Sequence, residues 1–201
     1  MLTHMQWPTI NGEKPHTLQY GSRQWCQPIV TMHHLSAEEV ASIWTFEQER
    51  GFESGTMRFK TLYGAFLARQ LQPRRDDWDN LSMDLYYLNA STPRSEKDGD
   101  VKFEDWEVEK SNKKNWRLST EEEVAYESIE SCERACETMG DCMQWKYTPG
   151  LCILDKRASL GRPANKQTSN GRQWMSGWQV ERIKNWADEH RCEDVVQWPM
   201  P

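Results

Sequence analysis

The chain has 201 residues, of which 37% are hydrophobic and 28% are charged, and its 31 acidic and 25 basic side chains give a net charge of −6. No run approaches the roughly 18 consecutive apolar residues of a membrane-spanning helix, and the negative charge argues against nucleic-acid binding through a broad basic face. Eleven tryptophans, each able to bury about 150–250 Å², supply enough apolar surface for a core, which excludes disorder throughout the chain.

The clearest local pattern begins near residue 28. Residues 28–34 form a largely apolar run that ends in two histidines, and such a run is typical of a short buried strand. Ser36 and Glu39 have the spacing of a helix capping box, and Gly51 follows as a C-terminal stop. The sequence therefore predicts a strand and then a helix, one face of which carries Val40, Ile43 and Trp44.

Residues 61–82 predict a second helix and a turn. Residues 61–72 repeat apolar side chains at helical spacing, and the pattern ends before Pro73. Residues 76–82 are rich in Asp and Asn and contain Asp77-Trp78-Asp79, which has the D-x-D pattern of a metal site. No buried apolar strand precedes this triplet, so the favoured interpretation is that its carboxylates cap a turn or a helix.

The middle of the chain is strongly polar. Residues 89–123 combine many alternating charges with turn-forming residues, and this composition predicts a long linker. Within it, Glu121-Glu122-Glu123 indicates a solvated charge run.

Six cysteines indicate an oxidising compartment. Four of them lie close together. They lack the two C-x2-4-C pairs of common zinc sites, since nine residues separate Cys142 from Cys152, and no histidine lies among them, which favours disulfides over a metal site. Sequons make Asn80 and Asn89 candidates for glycosylation and agree with secretion. Because Met1 is followed by neither a charged nor an apolar leader, we expect that an N-terminal part is missing.

The cysteine cluster coincides with a predicted helix and hairpin. Ser128 begins an amphipathic helix that runs through Met139, and residues 142–154 have the pattern of two strands joined by a turn at Thr148-Pro149-Gly150. Four cysteines permit three pairings. A helix lying on the hairpin favours one of them, the nested pairs Cys132–Cys152 and Cys136–Cys142.

The last part of the chain predicts one more strand and helix. Residues 174–180 are strand-like, and the helix that follows carries Ile183 and Trp186. Three tryptophans in these regions are expected in the core rather than on a sugar-stacking surface: Trp145, Trp174 and Trp178. Cys26 and Cys192 stay unassigned, because either they pair with each other or Cys26 has lost a partner upstream.

Four stretches, in this order, resemble the C-terminal part of fungal glycosyltransferases of family 31, which includes fringe and the core-1 β-1,3-galactosyltransferases: Asn11-Gly12-Glu13-Lys14-Pro15, residues 25–34, residues 76–82 and residues 174–183. Residues from about 125 to 160 resemble a PAN/apple module, through a helix with two cysteines, a strand with Cys142, Trp145 and Tyr147, and the closing Cys152. In such modules the helix cysteines bridge to the adjacent strands, as the geometry also favours.

The resemblance implies an α+β chain with an incomplete front domain. Residues 1–88 would be the C-terminal remnant of a GT-A-type α/β transferase domain, followed by a polar linker over 89–123. A disulfide-bonded, PAN/apple-like helix-on-hairpin module with its tail would occupy 124–192, and a C-terminal tail would occupy 193–201.

The resemblance also implies a chemistry. Family members move a sugar from a UDP donor to a hydroxyl of a glycan or glycoprotein, with manganese or another divalent cation on the diphosphate. By its position in the sequence, His33, ahead of His34, matches a late histidine that reaches the metal. The acidic D-x-D half would precede this chain, so we expect this fragment to be inactive and to need no cation, and no catalytic base is assigned. The implied location is the Golgi lumen, through a missing N-terminal anchor.

Three classes of function follow from these expectations. The chain is the C-terminal part of a UDP-sugar-dependent β-1,3-type hexosyltransferase, or its PAN/apple-like module binds carbohydrate or protein without catalysis. In the third class of function, which is structural, residues 76–201 only support the fold of a transferase.

Overall fold

A computed structural model describes residues 14–51, 54–88, 119–164 and 173–192. In chain order the elements are α1 (Ala37–Arg50), α2 (Phe59–Leu62), a π-helical turn (Tyr63–Leu67), β1 (Arg75–Asp76), β2 (Trp78–Asp79), β3 (Leu85–Leu88), α3 (Thr120–Glu123), α4 (Ile129–Thr138), β4 (Gln144–Thr148), β5 (Leu151–Asp155), β6 (Arg162–Pro163), β7 (Met175–Trp178) and α5 (Val180–Glu189). The protein is therefore α+β with antiparallel sheets. Among the described residues, no helix has the length and apolar character needed to cross a membrane.

The chain divides into two compact units. The helical unit is drawn from Met1–Leu71, Ala158–Leu160 and Glu181–Pro201, and the sheet unit from Gln72–Arg157 and Gly161–Val180. The first predicted domain ended at residue 88, and the observed division differs from that boundary. Residues 72–88 belong with the cysteine-rich sheet rather than with the preceding segment, and all of α5 but its first residue belongs to the helical unit.

An aromatic cluster forms the core of the helical unit. The ring of Trp25 lies with its centroid 5.2 Å from that of Tyr63 and 4.8 Å from that of Trp186, and its Nε1 donates to the His190 carbonyl at 2.7 Å. Tyr20 packs edge-on against Tyr63 with 5.9 Å between ring centroids. Edge-to-face pairs of this kind add to the free energy gained by burial, so a few aromatic side chains hold this small unit together.

The predicted helix after residue 35 is confirmed as α1. Ser36 Oγ accepts from the Glu39 backbone N–H at 3.2 Å, and Glu39 Oε2 accepts from the Ser36 N–H at 2.7 Å, which completes the capping box. Gly51 ends the helix with a φ of 73°, a left-handed value that glycine adopts at little cost. None of the residues of α1 is buried, and Val40 and Trp44 are 51% and 66% exposed.

The predicted buried strand at residues 28–34 is wrong. Pro28 makes an isolated bridge with Arg58, and the Ile29 N–H donates to the Met57 carbonyl, but no ladder extends beyond them. Val30 is 55% exposed, and His34 has a left-handed φ of 58° that breaks the extended backbone. Within the described residues the segment makes isolated bridges and no strand ladder, and ladder pairing is what stabilises a strand.

The predicted helix at 61–72 is present but differs in form. It begins at Phe59 as α2 and widens into the π-helical turn that ends at Leu67. Its buried side chains are Phe59, Leu62, Tyr63 and Leu67.

The sheet unit is built on a five-stranded sheet with the order β1-β7-β4-β5-β3, in which every pairing is antiparallel. The predicted hairpin is confirmed: β4 and β5 turn at Pro149 and Gly150, where Gly150 has a φ of 80°. Helix α4, capped by Ser128 as predicted, covers one face of the sheet. Beneath it lies a core that includes Cys132, Cys136, Trp145, Tyr147, Cys152 and Leu154.

Residues 75–79 form two short strands rather than the predicted capped turn. Asp77, with a φ of 49°, makes the corner between β1, which pairs with β7, and β2, which pairs with β6. Side-chain capping is confirmed only just after this corner. Asp79 Oδ1 accepts from the Leu81 N–H at 2.9 Å, and Asn80 Oδ1 accepts from the Ser82 N–H at 3.2 Å.

The end of the predicted linker is structured. Most of the linker lies outside the described residues, but Ser119 and Glu122 form a capping box that begins α3. Glu122 is not simply solvated, since its Oε1 accepts from the Tyr87 hydroxyl at 2.6 Å. Burial, then this hydrogen bond and the glutamate charge, raise the pKa of Tyr87.

Candidate functional site

The cysteines form three disulfides. Cys132 joins Cys152 and Cys136 joins Cys142, the nested pairs that the helix-on-hairpin geometry favours, and Cys26 joins Cys192. The first two bridges fix α4 to the sheet unit. The third settles the pairing that the sequence left open, and it ties residue 26 of the helical unit to the segment just after α5.

The structure places His33 and His34 on the exposed segment before α1. Their Nδ1 atoms lie 3.1 Å apart, and their rings meet edge-on. The described residues contain no group of three His, Cys, Asp or Glu side chains arranged to hold a metal ion. Manganese prefers oxygen ligands, and two adjacent imidazoles do not supply them, so these residues alone do not fit the implied cation.

Asn80 is a poor candidate for glycosylation. Its side chain is fully buried, and its Nδ2 donates to the Trp145 carbonyl at 2.9 Å. A glycan on this nitrogen would displace that hydrogen bond and has no space to leave the core, so the prediction for Asn80 is wrong. The other predicted position, Asn89, lies outside the described residues.

The three tryptophans predicted to be in the core are buried. Trp145, Trp174 and Trp178 are 0%, 7% and 2% exposed, so their rings are not available to stack on a sugar. Trp78, within the D-x-D triplet, is instead half-buried and reaches the surface of the sheet unit.

A row of side chains crosses the face of the sheet opposite α4. The strand register aligns one residue from each of the five strands, in the order Arg75, Ser176, Lys146, Ile153 and Tyr86. We call this line the cationic row, because it contains two basic side chains. Residues in register on neighbouring strands lie on the same face, so the sheet itself fixes their spacing.

Lys146 in the cationic row already has an ion-pair partner and an aromatic neighbour within the sheet unit. Its Nζ lies 2.8 Å from Asp79 Oδ1 and 4.6 Å from the centre of the Trp174 ring, and the residue is 9% exposed. Next to it, Ser176 Oγ donates to the Trp78 carbonyl at 2.7 Å and accepts from the Asn80 N–H at 3.1 Å. This network holds β2 in place, and it engages the Lys146 ammonium group in an ion pair with Asp79.

Arg75, the other basic side chain of the cationic row, has different contacts from Lys146. The centre of its guanidinium group lies 3.4 Å from the centre of the Trp78 ring, and the residue is half-buried. Burial lowers the pKa of this guanidinium. Within the part of the chain that the structure describes, no carboxylate forms an ion pair with Arg75. The Arg75–Trp78 pair is thus a cationic and aromatic surface held by the sheet, and it is our candidate binding site.

A cleft also lies between α3 and α4 in the sheet unit. It measures about 210 Å³ and is lined by Thr120, Glu121, Val124, Glu130, Ser131 and Arg134. Its charged side chains lie on two helix surfaces and include both signs, so the cleft shows no single chemical preference.

Comparison with protein-family models, with curated proteins and with solved structures found no match.

The sequence motifs suggested the D-x-D carboxylates as a candidate site and did not indicate the Arg75–Trp78 pair. The useful signal was the tryptophan itself, a large aromatic side chain in a polar segment three residues after an arginine.

Proposed function

We propose that this chain is a glycan-binding module and that its binding surface is the Arg75–Trp78 pair of the sheet unit. The observation that carries the proposal is the half-buried Trp78 ring with the Arg75 guanidinium held against it. An indole ring offers an apolar surface to the C–H groups of a pyranose, and a neighbouring guanidinium donates hydrogen bonds to sugar oxygens.

The disulfides support this role by keeping the surface rigid. Cys132–Cys152 joins α4 to the interior strand β5, and the central strand β4 beside it carries Lys146, which pairs with Asp79 directly after Trp78. A binding surface built on fixed strands loses little conformational entropy when a ligand binds. An oxidising, secretory compartment suits a module that depends on such bridges.

Replacing Trp78 with alanine tests the proposed surface. We expect Trp78→Ala to abolish measurable glycan binding and Trp78→Phe to retain part of it, because the shorter ring still stacks. Trp44→Ala is the matched control, since Trp44 is 66% exposed on α1 in the helical unit. The measurement is a glycan array followed by titration calorimetry on the oxidised chain. Equal binding by Trp78→Ala and Trp44→Ala would contradict the proposal, and binding should disappear when the disulfides are reduced.

The order of four sequence stretches between residues 11 and 183 favours a second candidate function. We propose, on that basis, that the chain is the C-terminal part of a UDP-sugar-dependent β-1,3-type glycosyltransferase of the secretory pathway. The sheet unit would then hold the glycan or glycoprotein acceptor, and His33 would contribute to a manganese site whose carboxylates come from outside this chain.

The second candidate predicts that this chain alone has no transferase activity. With a UDP-sugar, manganese and a glycan acceptor, we expect sugar transfer to stay at the level of a protein-free control. Manganese-dependent transfer that is abolished by His33→Ala, with His34→Ala as the control, would show that the chain contains a complete catalytic site and would contradict this proposal.

A further inference from the structure

We infer that the ligand of the sheet unit is an acidic glycan, whose carboxylate or sulfate group is bound by the guanidinium of Arg75. This inference rests on the proposed function and adds to it the chemical class of the ligand. It follows from the environment of Arg75, from its contrast with the neighbouring cations and from the way the sheet orients it.

Other basic side chains of the sheet unit form ion pairs with carboxylates. The Nη2 of Arg74, the residue before Arg75, lies 2.8 Å from Glu133 Oε2 and 3.5 Å from Glu130 Oε1. The Nζ of Lys146 lies 2.8 Å from Asp79 Oδ1. Arg157 likewise pairs with Asp155 at 3.1 Å. Among the described residues, Arg75 has the Trp78 ring as its contact and no carboxylate, although it is half-buried like Arg157.

Partial burial of a cation without a counter-ion has a cost. A charged group loses part of its hydration when it enters a protein surface, and an opposite charge compensates for that loss. Burial lowers the pKa of Arg75, and no carboxylate in the described part of the chain forms an ion pair that would oppose this effect. An anion supplied by a ligand would provide the compensation that these described residues do not.

The sheet holds Arg75 and Trp78 ready for such an anion. Arg75 lies in register with Ser176 of β7, and the Trp78 backbone is bound at both ends, by the Trp174 carbonyl at 3.1 Å and the Ser176 hydroxyl at 2.7 Å. A guanidinium stacked on a ring keeps the N–H donors of its edge in one plane. This planar fork matches the two oxygens of a carboxylate or a sulfate.

The test compares three oligosaccharides of equal length, one with uronate groups, one with sulfate groups and one neutral, by titration calorimetry on the oxidised full chain. We expect at least one acidic ligand to bind about tenfold more tightly than the neutral one, because hydrogen bonds to charged groups are the stronger kind. The affinity for that ligand should fall as the salt concentration rises. The ligand that binds identifies the anion as carboxylate or sulfate.

Variants of Arg75 complete the test. Arg75→Gln should lose about tenfold in affinity for the acidic ligand and little for the neutral one, and Arg75→Lys should lie between wild type and Gln. Arg162→Gln is the matched control, because Arg162 is an exposed arginine on β6 opposite Asp79 rather than Trp78. Near-ultraviolet circular dichroism checks that each variant is folded.

The outcomes separate the inference from the proposed function. If acidic and neutral glycans bind equally, or if Arg75→Gln binds the acidic glycan as wild type does, the inference is wrong while a Trp78-dependent glycan module stands. If none of the three glycans binds to the oxidised chain, both the inference and the proposed function are wrong.

Discussion

Cys26→Ser combined with Cys192→Ser should destabilise the helical unit by about 4–5 kcal/mol. The bridge joins residues 166 positions apart, and the entropy that a cross-link removes from the unfolded chain increases with the length of the closed loop. The helical unit is small and depends on a few aromatic contacts around Trp25, so a loss of this size approaches the total stability of a typical domain.

The matched control is Cys136→Ser with Cys142→Ser, which opens a bridge between residues only six positions apart. The same loop-entropy argument predicts a loss of about 2 kcal/mol for that pair. Urea unfolding at 25 °C under non-reducing conditions, followed by tryptophan fluorescence and circular dichroism, gives both values. A loss below 1 kcal/mol for the Cys26 and Cys192 pair would mean that packing alone holds the two ends of the helical unit together.

Gly161→Ala should strongly destabilise the sheet unit. Gly161 has a φ of 78°, and a Cβ placed on it would overlap the backbone of Asp79 and Asn80. A left-handed backbone costs a non-glycine residue about 1–2 kcal/mol, and overpacking adds about 1–3 kcal/mol. We therefore expect a total loss of about 2–5 kcal/mol.

Gly51→Ala separates the two causes. Gly51 has a similar φ of 73°, but nothing lies within 4 Å of its missing Cβ, so this variant reports the backbone cost alone. Its expected loss is about 1 kcal/mol in the same urea titration. If both variants lose the same free energy, the backbone at residues 79–80 moves aside at no cost, and Gly161 is required only for its dihedral angle.

The elements that the sequence predicted well are those with local signals. Ser36 and Glu39 begin α1 through hydrogen bonds between residues three apart, and the turn at Pro149 and Gly150 joins two strands that are adjacent in the chain. Such patterns need no knowledge of distant residues. The nested cysteine pairing was accessible for the same reason, since one helix and one hairpin bring all four cysteines together.

The strands β1, β2 and β3 could not be predicted in this way. Each has two to four residues, too few to show a periodicity, and each pairs with a strand whose residues are 63 or more positions away, as Leu88 does with Leu151. The buried strand expected at residues 28–34 failed for the opposite reason. Its apolar pattern was clear, but the described residues 28–34 form isolated bridges rather than a strand, and Val30 is exposed.

The candidate site depends on these unpredictable strands. Arg75 and Trp78 are three residues apart, a spacing that would place them together on a helix, yet they meet here because Asp77 turns the backbone between two strands. That no carboxylate among the described residues forms an ion pair with Arg75, although Asp76 and Asp77 follow it in the sequence, is a property of the folded sheet. No sequence pattern distinguishes Arg75 from Arg74, which has two glutamate partners.

The strand order has a consequence for how the protein is made. The outermost strands of the large sheet, β1 and β3, leave the ribosome first, while their partners β7 and β5 are synthesised much later. Until then the backbone amides of these two segments lack their strand partners, and closing such distant pairs is intrinsically slow. Nascent chains therefore pass through an interval in which β1 and β3 have been synthesised and the strands that pair with them have not.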